Sequence, residues 1–395
     1  MTPYAARRAR LMEQMRARGG GIAIIPTAPE ALRNNDADYP YRHDSYFYYL
    51  SGFTEPEAVL VLIADANGGK SILFCREKNL EREIWDGYRY GPEAAREAFD
   101  IDAAFPVGAL DQELPRLMAN AAALFYALGS SEQLDAQVRR WLAAVHAQVR
   151  AGVAAPAAAH DIRLLLDEMR LIKDAGEIAI MQRAADISAE AHARAMRMSR
   201  PGLHEYQVEA ELLHEFRRNG SQFPAYTSIV ATGANACVLH YRAGDAMLKD
   251  GDLVLIDAGC ELDGYASDIT RTYPANGVFS GPQQALYEIV LASQAAAIAA
   301  TGPGRRFTDG HDAAVRILAQ GMLDTGLLKR DKVGALDDVI ANGDFRQFYM
   351  HRTGHWLGMD VHDVGEYRDA APAGQERPWR TLQPGMALTI EPGIY

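Results

Sequence analysis

One stretch decides the fold of this chain: LVLIDAGCELDGYASDITRTY, residues 253–273. The pattern predicts two apolar strands joined by a turn at Leu262-Asp263-Gly264, and each strand carries one aspartate, Asp257 or Asp268. A turn centred on 262/263 sets the two aspartates opposite each other, whereas a turn centred on 263/264 sets them on a diagonal. Both registers place the two carboxylates on one face of the hairpin, because side chains alternate along a strand.

Two carboxylates inside apolar strands indicate a bound cation. A buried carboxylate is costly unless a cation or a hydrogen-bonding partner satisfies it. Opposed positions hold their Cβ atoms roughly 5 Å apart, which suits carboxylates that share one or two metal ions about 3.5–4 Å apart. The alternative, two solvated aspartates on an exposed hairpin face, is disfavoured because LVLIDAG is apolar on both faces.

Length and composition are typical of an ordinary soluble globular protein. A chain of 395 residues predicts two domains. Hydrophobic residues make up 48% of it, but no apolar run reaches the ~18 residues that span a membrane. The net charge of −12 without a large basic block disfavours a nucleic-acid partner. Three widely separated cysteines without a CxxC motif favour a reducing, cytoplasmic compartment and argue against a thiolate zinc site.

The order of predicted elements divides the chain. Short strands and helices alternate up to about residue 150 and predict an α/β domain over residues 1–160. The Ala- and Pro-rich segment 151–161 is the best linker candidate. A long helix that begins with Asp174 and Glu177 at N-cap spacing then opens an α+β domain over residues 174–395.

A cluster of histidines follows in FYMHRTGHWLGMDVHDVG, residues 348–365. Of its three histidines, His355 lies between two glycines and is the best metal ligand, since glycine lets the backbone come close to a ligand. His351 and His362 are better candidates for hydrogen-bonding or substrate groups. The HExxH motif of zinc proteases is absent, because no glutamate follows His351 or His355.

Two further residues complete the candidate set. Glu391 stands at the end of a predicted strand in ALTIEPGIY, and a buried glutamate there indicates pairing or coordination. His240 in VLHY could donate to a developing oxyanion, although an ordinary surface histidine fits the local sequence equally well. Asp257, Asp268, His355 and Glu391 form an oxygen-rich set that favours Mn²⁺ or Co²⁺, with Zn²⁺ as an alternative. Two such ions sharing a hydroxide predict metal-assisted hydrolysis of an amide.

These residues and their surroundings resemble a known family. The order of the four candidate ligands, in the motifs LIDAG, DITRTY, GHWLG and EPG, resembles the pita-bread metallopeptidases of family M24. RNNDADYPYR, SGFTEPEAVLVL, EMRLIK and MHRTGHWLGMDVHDVG are similar specifically to bacterial aminopeptidase P, the Xaa-Pro aminopeptidases. The blocks match in order and spacing from about residue 3 to the last residue.

The resemblance implies a fold and a reaction. It implies an α/β N-terminal domain that helps to build a homo-oligomer, a dimer or tetramer, followed by an α+β pita-bread (creatinase/aminopeptidase-like) catalytic domain. The implied reaction removes the N-terminal residue from peptides with proline in second position and uses two Mn²⁺ ions. The partners are therefore proline-containing peptides rather than nucleic acid or membrane.

The resemblance also implies residue roles. The residue that matches Asp257 binds one metal, the match of Asp268 bridges both, and the matches of His355 and Glu391 bind the other. Glu391 also handles the proton of the attacking water. The matches of His240, His351 and His362 line the substrate site. The match of Trp85 is an aromatic residue of the N-terminal domain that reaches the proline pocket of a neighbouring subunit.

The sequence departs from the family in one respect. The family has a further bridging glutamate, with an arginine near it, in a strand after the EPG motif, whereas this sequence stops at Tyr395. The expectation is a truncated catalytic domain that lacks a C-terminal strand region. If this chain is the whole protein, we expect weak metal binding and poor activity.

Three other functions are compatible with parts of the sequence. A prolidase would accept Xaa-Pro dipeptides only. A methionine aminopeptidase is disfavoured because those enzymes lack the large N-terminal domain. A metal-deficient binding scaffold on the same fold is disfavoured because this chain keeps four candidate ligands.

Overall fold

The computed structural model describes residues 2–66 and 68–395. The chain forms two compact units, one that ends at Asp167 and one that runs from Glu168 to Tyr395. Separate clusters of buried apolar side chains form the cores of the two units. Within the described ranges, no helix is both long and apolar enough to cross a bilayer.

The first unit is an α/β domain built on one mixed sheet. Its strands are β1 (Gly21–Pro26), β2 (Leu32–Asn34), β3 (Ala37–Asp38), β4 (Val59–Asp65), β5 (Gly68–Cys75), β6 (Ala103–Pro106), β7 (Ala123–Tyr126) and β8 (Ala158–Asp161). Its helices are α1 (Pro3–Arg16), α2 (Ser45–Ser51), α3 (Leu80–Asp86), α4 (Gly91–Ala98), α5 (Leu110–Met118) and α6 (Glu132–His146). Six strands form the sheet in the order β6-β5-β4-β1-β7-β8, and β2 pairs with β3 separately.

The central strands of this sheet are buried on both faces. β1 reads GIAIIP and β4 reads VLVLIAD, and these continuous apolar runs are typical of a sheet covered by helices on both sides. Trp141 of α6 packs into the same core as Phe74, while its indole N–H donates to Asp111 at 2.7 Å. β4 and β5 form the predicted antiparallel pair; Asn67, in the predicted turn between them, lies outside the described residues.

The predicted linker at 151–161 is wrong for part of its length. Residues 158–161 form β8, which pairs in parallel with β7 at the edge of the sheet. Alanine-rich composition suggested an unstructured connection, but small side chains are also accommodated in an edge strand, and local composition does not distinguish the two.

The second unit combines helix pairs with small antiparallel sheets. Its helices are α8 (Ala175–Met198), α9 (Glu205–Arg218), α10 (Gly281–Ala300), α11 (Phe307–Asp324), α12 (Arg330–Val333) and α13 (Leu336–Asn342), and α7 (Arg163–Leu171) contains the boundary between the units. Its strands are β9 (Phe223–Pro224), β10 (Ile229–Thr232), β11 (Leu253–Asp257), β12 (Cys260–Leu262), β13 (Tyr265–Ala266) and β14 (Thr270–Pro274). The predicted capping box of α8 is present, since Asp174 and Glu177 exchange hydrogen bonds of 2.9 Å.

The 253–273 stretch forms the predicted hairpin in its second register. Asp263 and Gly264 have φ values of 49° and 80°, as a type I′ turn requires. Asp257 pairs with Thr270, so Asp268 lies on the diagonal from Asp257 and on the same face.

The hairpin differs from the prediction in its continuity. The two predicted strands are interrupted, so that β10-β11-β14 and β13-β12-β9 form two separate sheets. A Cβ on Gly259 would lie 1.8 Å from the carbonyl oxygen of Ser267. Glycine is therefore required where the strands bend towards each other, and the bend leaves Asp268 between strands rather than inside one.

The two strands predicted in the last fifth of the chain are not regular strands. Residues 348–365, which we call the histidine segment, and residues 387–395, which we call the glutamate segment, contain only the isolated bridge Trp356–Leu388. They nevertheless lie antiparallel: Thr389 donates its N–H to the carbonyl of His355 at 2.9 Å, and Glu391 donates to Thr353 at 2.7 Å. This pairing brings the predicted ligands of both segments side by side.

Candidate metal centre

Three predicted ligands converge in the second unit. Asp268, His355 and Glu391 offer donor atoms that all lie within 4.8 Å of one another. The Nε2 atom of His355 is 3.4 Å from Oδ2 of Asp268 and 3.2 Å from Oε1 of Glu391. The hairpin supplies the aspartate, and the paired segments supply the histidine and the glutamate.

Asp257 joins this group through a residue that the sequence analysis missed. The hydroxyl of Tyr226 lies 2.5 Å from Oδ1 of Asp257 and 2.9 Å from Oδ1 of Asp268. One buried phenol therefore holds both hairpin carboxylates on the same side. Tyr226 precedes β10 by three residues, and no local pattern distinguishes it from an ordinary core aromatic.

The orientation of His355 suits it to bind a cation. Its Nδ1 atom donates to the carbonyl oxygen of Trp356 at 2.9 Å, so Nε2 faces the carboxylates and is the atom that binds a cation once the cation displaces its proton. A second such support is Thr389, whose hydroxyl accepts the backbone N–H of His355 at 3.0 Å and donates to Oε1 of Glu391 at 2.7 Å. Hydrogen bonds of this kind, made to the ligands on the side away from the metal, fix the geometry of the ligands before a metal binds.

The electrostatics of the site fit a divalent cation. Burial and then the charge of Asp268 raise the pKa of Asp257 to about 7. Burial lowers the pKa of His355, but hydrogen bonds to Asp268 and Glu391 outweigh it and raise that pKa to about 10. The protein alone thus gathers negative charge that only protons offset. A divalent cation would take the place of those protons, and the oxygen-rich donor set matches the preference of the harder ions.

The glycines around His355 have a different role from the predicted one. A Cβ on Gly354 would lie 2.0 Å from the carbonyl oxygen of Thr389, and one on Gly358 would lie 2.1 Å from Oδ2 of Asp363. The two glycines therefore admit the glutamate segment and a buried carboxylate rather than a ligand. They serve the site by letting its parts pack closely.

A buried ion cluster holds the part of the histidine segment that carries His362. Asp363 accepts from Arg170 at 2.7 Å and from Lys173 at 2.9 Å, and all three side chains are at most 1% exposed. Asp360 binds the same guanidinium at 2.8 Å from a position that is 41% exposed. The loop is therefore tied to α7 and to the residues that follow it.

The three remaining predicted histidines lie at different depths. The ring of His362 is exposed and lies 4.0 Å from the ring of His355, measured between centroids. His351 is partly buried, and its Nε2 lies 3.0 Å from the hydroxyl of Tyr395. His240 lies in an exposed turn. Burial lowers the pKa of His362 most, and the neighbouring His355 lowers it further.

Trp85 belongs to the first unit. It lies on α3 with 83% of its surface exposed, and its neighbours Ile84 and Leu80 are 81% and 74% exposed. The helix thus presents an apolar face to solvent within its own unit.

The chain matches the models of two known protein families. Residues 179–395 match the model of metallopeptidase family M24, and residues 4–126 match that of the aminopeptidase P N-terminal domain. The chain belongs to metallopeptidase family M24. It is 44% identical to the Xaa-Pro aminopeptidase of Escherichia coli over 393 residues, which cover 99% of this chain and 86% of that protein.

Solved structures of M24 proteins agree with the fold described above. Pseudomonas aeruginosa aminopeptidase PepP superposes with a TM-score of 0.94 at 50% identity, over 99% of this chain and 86% of that one. Zinc-substituted E. coli aminopeptidase P in complex with product gives a TM-score of 0.93 at 44% identity, over 100% of this chain and 87% of that one. The expected α/β domain and pita-bread domain are confirmed, and this M24 protein is a metallo-aminopeptidase with a divalent-metal cofactor.

Proposed function

We propose that this M24 protein removes the N-terminal residue from peptides that carry proline in second position. The observation that carries the proposal is the convergence of Asp268, His355 and Glu391 in a chain that is 44% identical to an Xaa-Pro aminopeptidase. The site has the ligand types that amide hydrolysis requires, and the relatives supply the preference for proline.

The proposed cofactor is a pair of Mn²⁺ ions. Asp257 would hold the first ion, Asp268 would contribute to both, and His355 and Glu391 would hold the second. The shared hydrogen bond from Tyr226 to both aspartates supports this division, because it directs both carboxylates to the same side. When bound, the cations supply Lewis-acid polarisation of the peptide carbonyl and acidify water.

The chain's own residues move the proton and hold the substrate. The carboxylate of Glu391 takes the proton of the attacking water and returns it to the leaving amine, as a general base and then a general acid. The hydrogen bond from Thr389 fixes the rotamer from which this transfer occurs. His240, His351 and His362 donate hydrogen bonds to the peptide, and His240 stabilises the oxyanion that develops at the scissile carbonyl.

A homo-oligomer, a dimer or tetramer, completes the proposal. The exposed face of α3 supports it, because Leu80, Ile84 and Trp85 are all more than 70% exposed, and such a cluster is typical of an interaction surface. We assign Trp85 to the proline pocket of a neighbouring subunit. Trp85→Ala would then raise KM for proline peptides while leaving the unfolding midpoint of the protein unchanged. The unpaired cysteines Cys75, Cys237 and Cys260 support a cytoplasmic location.

The test is hydrolysis of matched peptides by the Mn²⁺-loaded protein. We expect cleavage of an Xaa-Pro-Xaa tripeptide and much slower cleavage of its Xaa-Ala-Xaa analogue. Asp268→Asn should abolish both activity and bound Mn²⁺, while Asp263→Asn, in the exposed turn of the same hairpin, should change neither.

Three results would contradict parts of this proposal. Equal rates on the proline and alanine peptides would refute the substrate class. Activity on Xaa-Pro dipeptides alone would identify a prolidase. Wild-type protein that binds no divalent metal in a calorimetric titration would identify a binding scaffold.

A further inference from the structure

A carboxylate outside the metal centre is buried and carries four hydrogen bonds. Glu205, the first residue of α9, is 0% exposed. Its Oε1 accepts from the N–H of Thr232 at 2.8 Å and from the side chain of Asn235 at 3.0 Å. Its Oε2 accepts from the hydroxyl of Tyr241 at 2.8 Å and from the N–H of Gly244 at 3.1 Å.

These contacts join one helix end to one connection. The four donors all lie in the chain between the end of β10 and residue 244. We call residues 233–244, all of them exposed or partly buried, the His240 loop. A buried carboxylate loses its hydration, and four donors together with the N-terminal end of a helix offset that loss. The His240 loop is therefore tied to α9 at both of its ends through one side chain.

The His240 loop lies in the connection between β10 and β11, and β11 ends at Asp257. Residues Gly233–Cys237 of the loop pack against both strands. The loop is therefore anchored to the sheet that carries one of the candidate metal ligands.

We propose that Glu205 is a positioning residue for the peptidase reaction, which holds the His240 loop so that His240 meets the substrate carbonyl. This inference rests on the proposed function of His240. Glu205 touches neither the metal ligands nor the peptide. It acts by fixing where the loop lies, and a small displacement of a group that stabilises the transition state lowers turnover strongly.

Glu205→Gln tests this arrangement with almost no change in volume. The amide can keep only one acceptor oxygen, so two of the four donors face an NH₂ group and lose their bonds. We expect kcat/KM on an Xaa-Pro peptide to fall about 10- to 100-fold, mainly through kcat, because an oxyanion contact forms in the transition state. Mn²⁺ affinity should stay as in the wild type. Glu209→Gln, one turn further along α9 and partly buried, is the matched control and should change none of these.

A double-mutant cycle shows whether Glu205 acts through His240. If it does, Glu205→Gln combined with His240→Ala loses no more activity than His240→Ala alone, whereas independent effects add. Additive losses would overturn the proposal. So would a wild-type kcat/KM in Glu205→Gln.

Amide hydrogen exchange gives a readout without substrate. We expect faster exchange at 233–244 in Glu205→Gln than in Glu209→Gln, with the rest of the second unit unchanged. This result separates the two proposals, since a protein that cleaves no proline peptide still reports whether Glu205 holds the loop. Unchanged exchange would refute the holding role. If Glu205→Gln does not fold, Tyr241→Phe removes one donor alone and should show the same changes at smaller size.

Discussion

Replacing Thr389 by valine should weaken metal binding without creating a cavity. Thr389 is buried, and its hydroxyl connects the backbone of His355 to the carboxylate of Glu391. Valine has nearly the same shape but neither accepts nor donates. Glu391 then loses a donor, and the N–H of His355 loses its acceptor.

The size of the effect follows from these two bonds. A hydrogen bond to a charged group contributes about 1.5–3 kcal/mol, and a buried N–H left without an acceptor costs about 1–3 kcal/mol. Relaxation recovers part of this sum. Changes behind metal ligands typically lower metal affinity about 10- to 100-fold, and we expect Thr389→Val to fall in that range for Mn²⁺.

Thr389→Ser is the matched control for this experiment. Serine keeps the hydroxyl and removes one methyl group, which should cost about 1 kcal/mol of stability and leave Mn²⁺ affinity near that of the wild type. Calorimetric titration of metal-free protein measures affinity, and urea unfolding of the same samples measures stability. The reasoning fails if valine binds Mn²⁺ as the wild type does, or if serine weakens binding as much as valine.

Three further substitutions test close contacts and buried charges within the individual units. Gly354→Ala should lower the free energy of unfolding by about 1–3 kcal/mol and abolish Mn²⁺ binding in titrations, because its Cβ would meet the glutamate segment. Gly302→Ala, with open space around it, should change neither stability nor Mn²⁺ binding. Burial, and then Arg42, lowers the pKa of His43 to about 4. The folded protein therefore binds fewer protons than the unfolded chain, and its free energy of unfolding falls by about 3 kcal/mol as pH falls from 6.5 to 4. His43→Phe should reduce this pH dependence in urea unfolding, and an unchanged pH dependence would contradict the assignment. Asp363→Asn should cost about 3–5 kcal/mol because it leaves buried cations without their carboxylate, whereas Asp360→Asn, at the exposed pair, should cost less than about 1 kcal/mol in the same assay.

Period-two alternation predicted the part of the site that depends on local geometry. It put Asp257 and Asp268 on one face of a hairpin, and the turn residues restricted the register to two choices, of which the structure has the diagonal one. Apolar runs likewise predicted the central strands of the first unit. These features depend on neighbours in sequence, and sequence patterns report such neighbours well.

What the sequence did not predict depends on distant contacts. Tyr226 contacts aspartates that lie 31 and 42 residues away along the chain, and Glu205 holds a loop through Asn235, which is 30 residues away. The histidine and glutamate segments pair without forming regular strands, so their apolar pattern suggested strands that are absent. Thr389 could have been found, because it stands two residues before Glu391 and therefore on the same side of an extended chain.

A cation held jointly by the hairpin and the glutamate segment would lengthen the lifetime of the folded protein. Asp268 and Glu391 lie roughly 120 residues apart, so a cation bound by both closes a long loop of chain as a reversible cross-link. Native protein gains stability from that cross-link in proportion to the logarithm of free cation over its dissociation constant. Removing the cation should therefore make proteases cleave the second unit faster at 37 °C. This loss of protection does not require a change in the folding rate. Limited digestion with and without a chelator would measure this difference, and Thr389→Val should lose part of the protection that the cation gives.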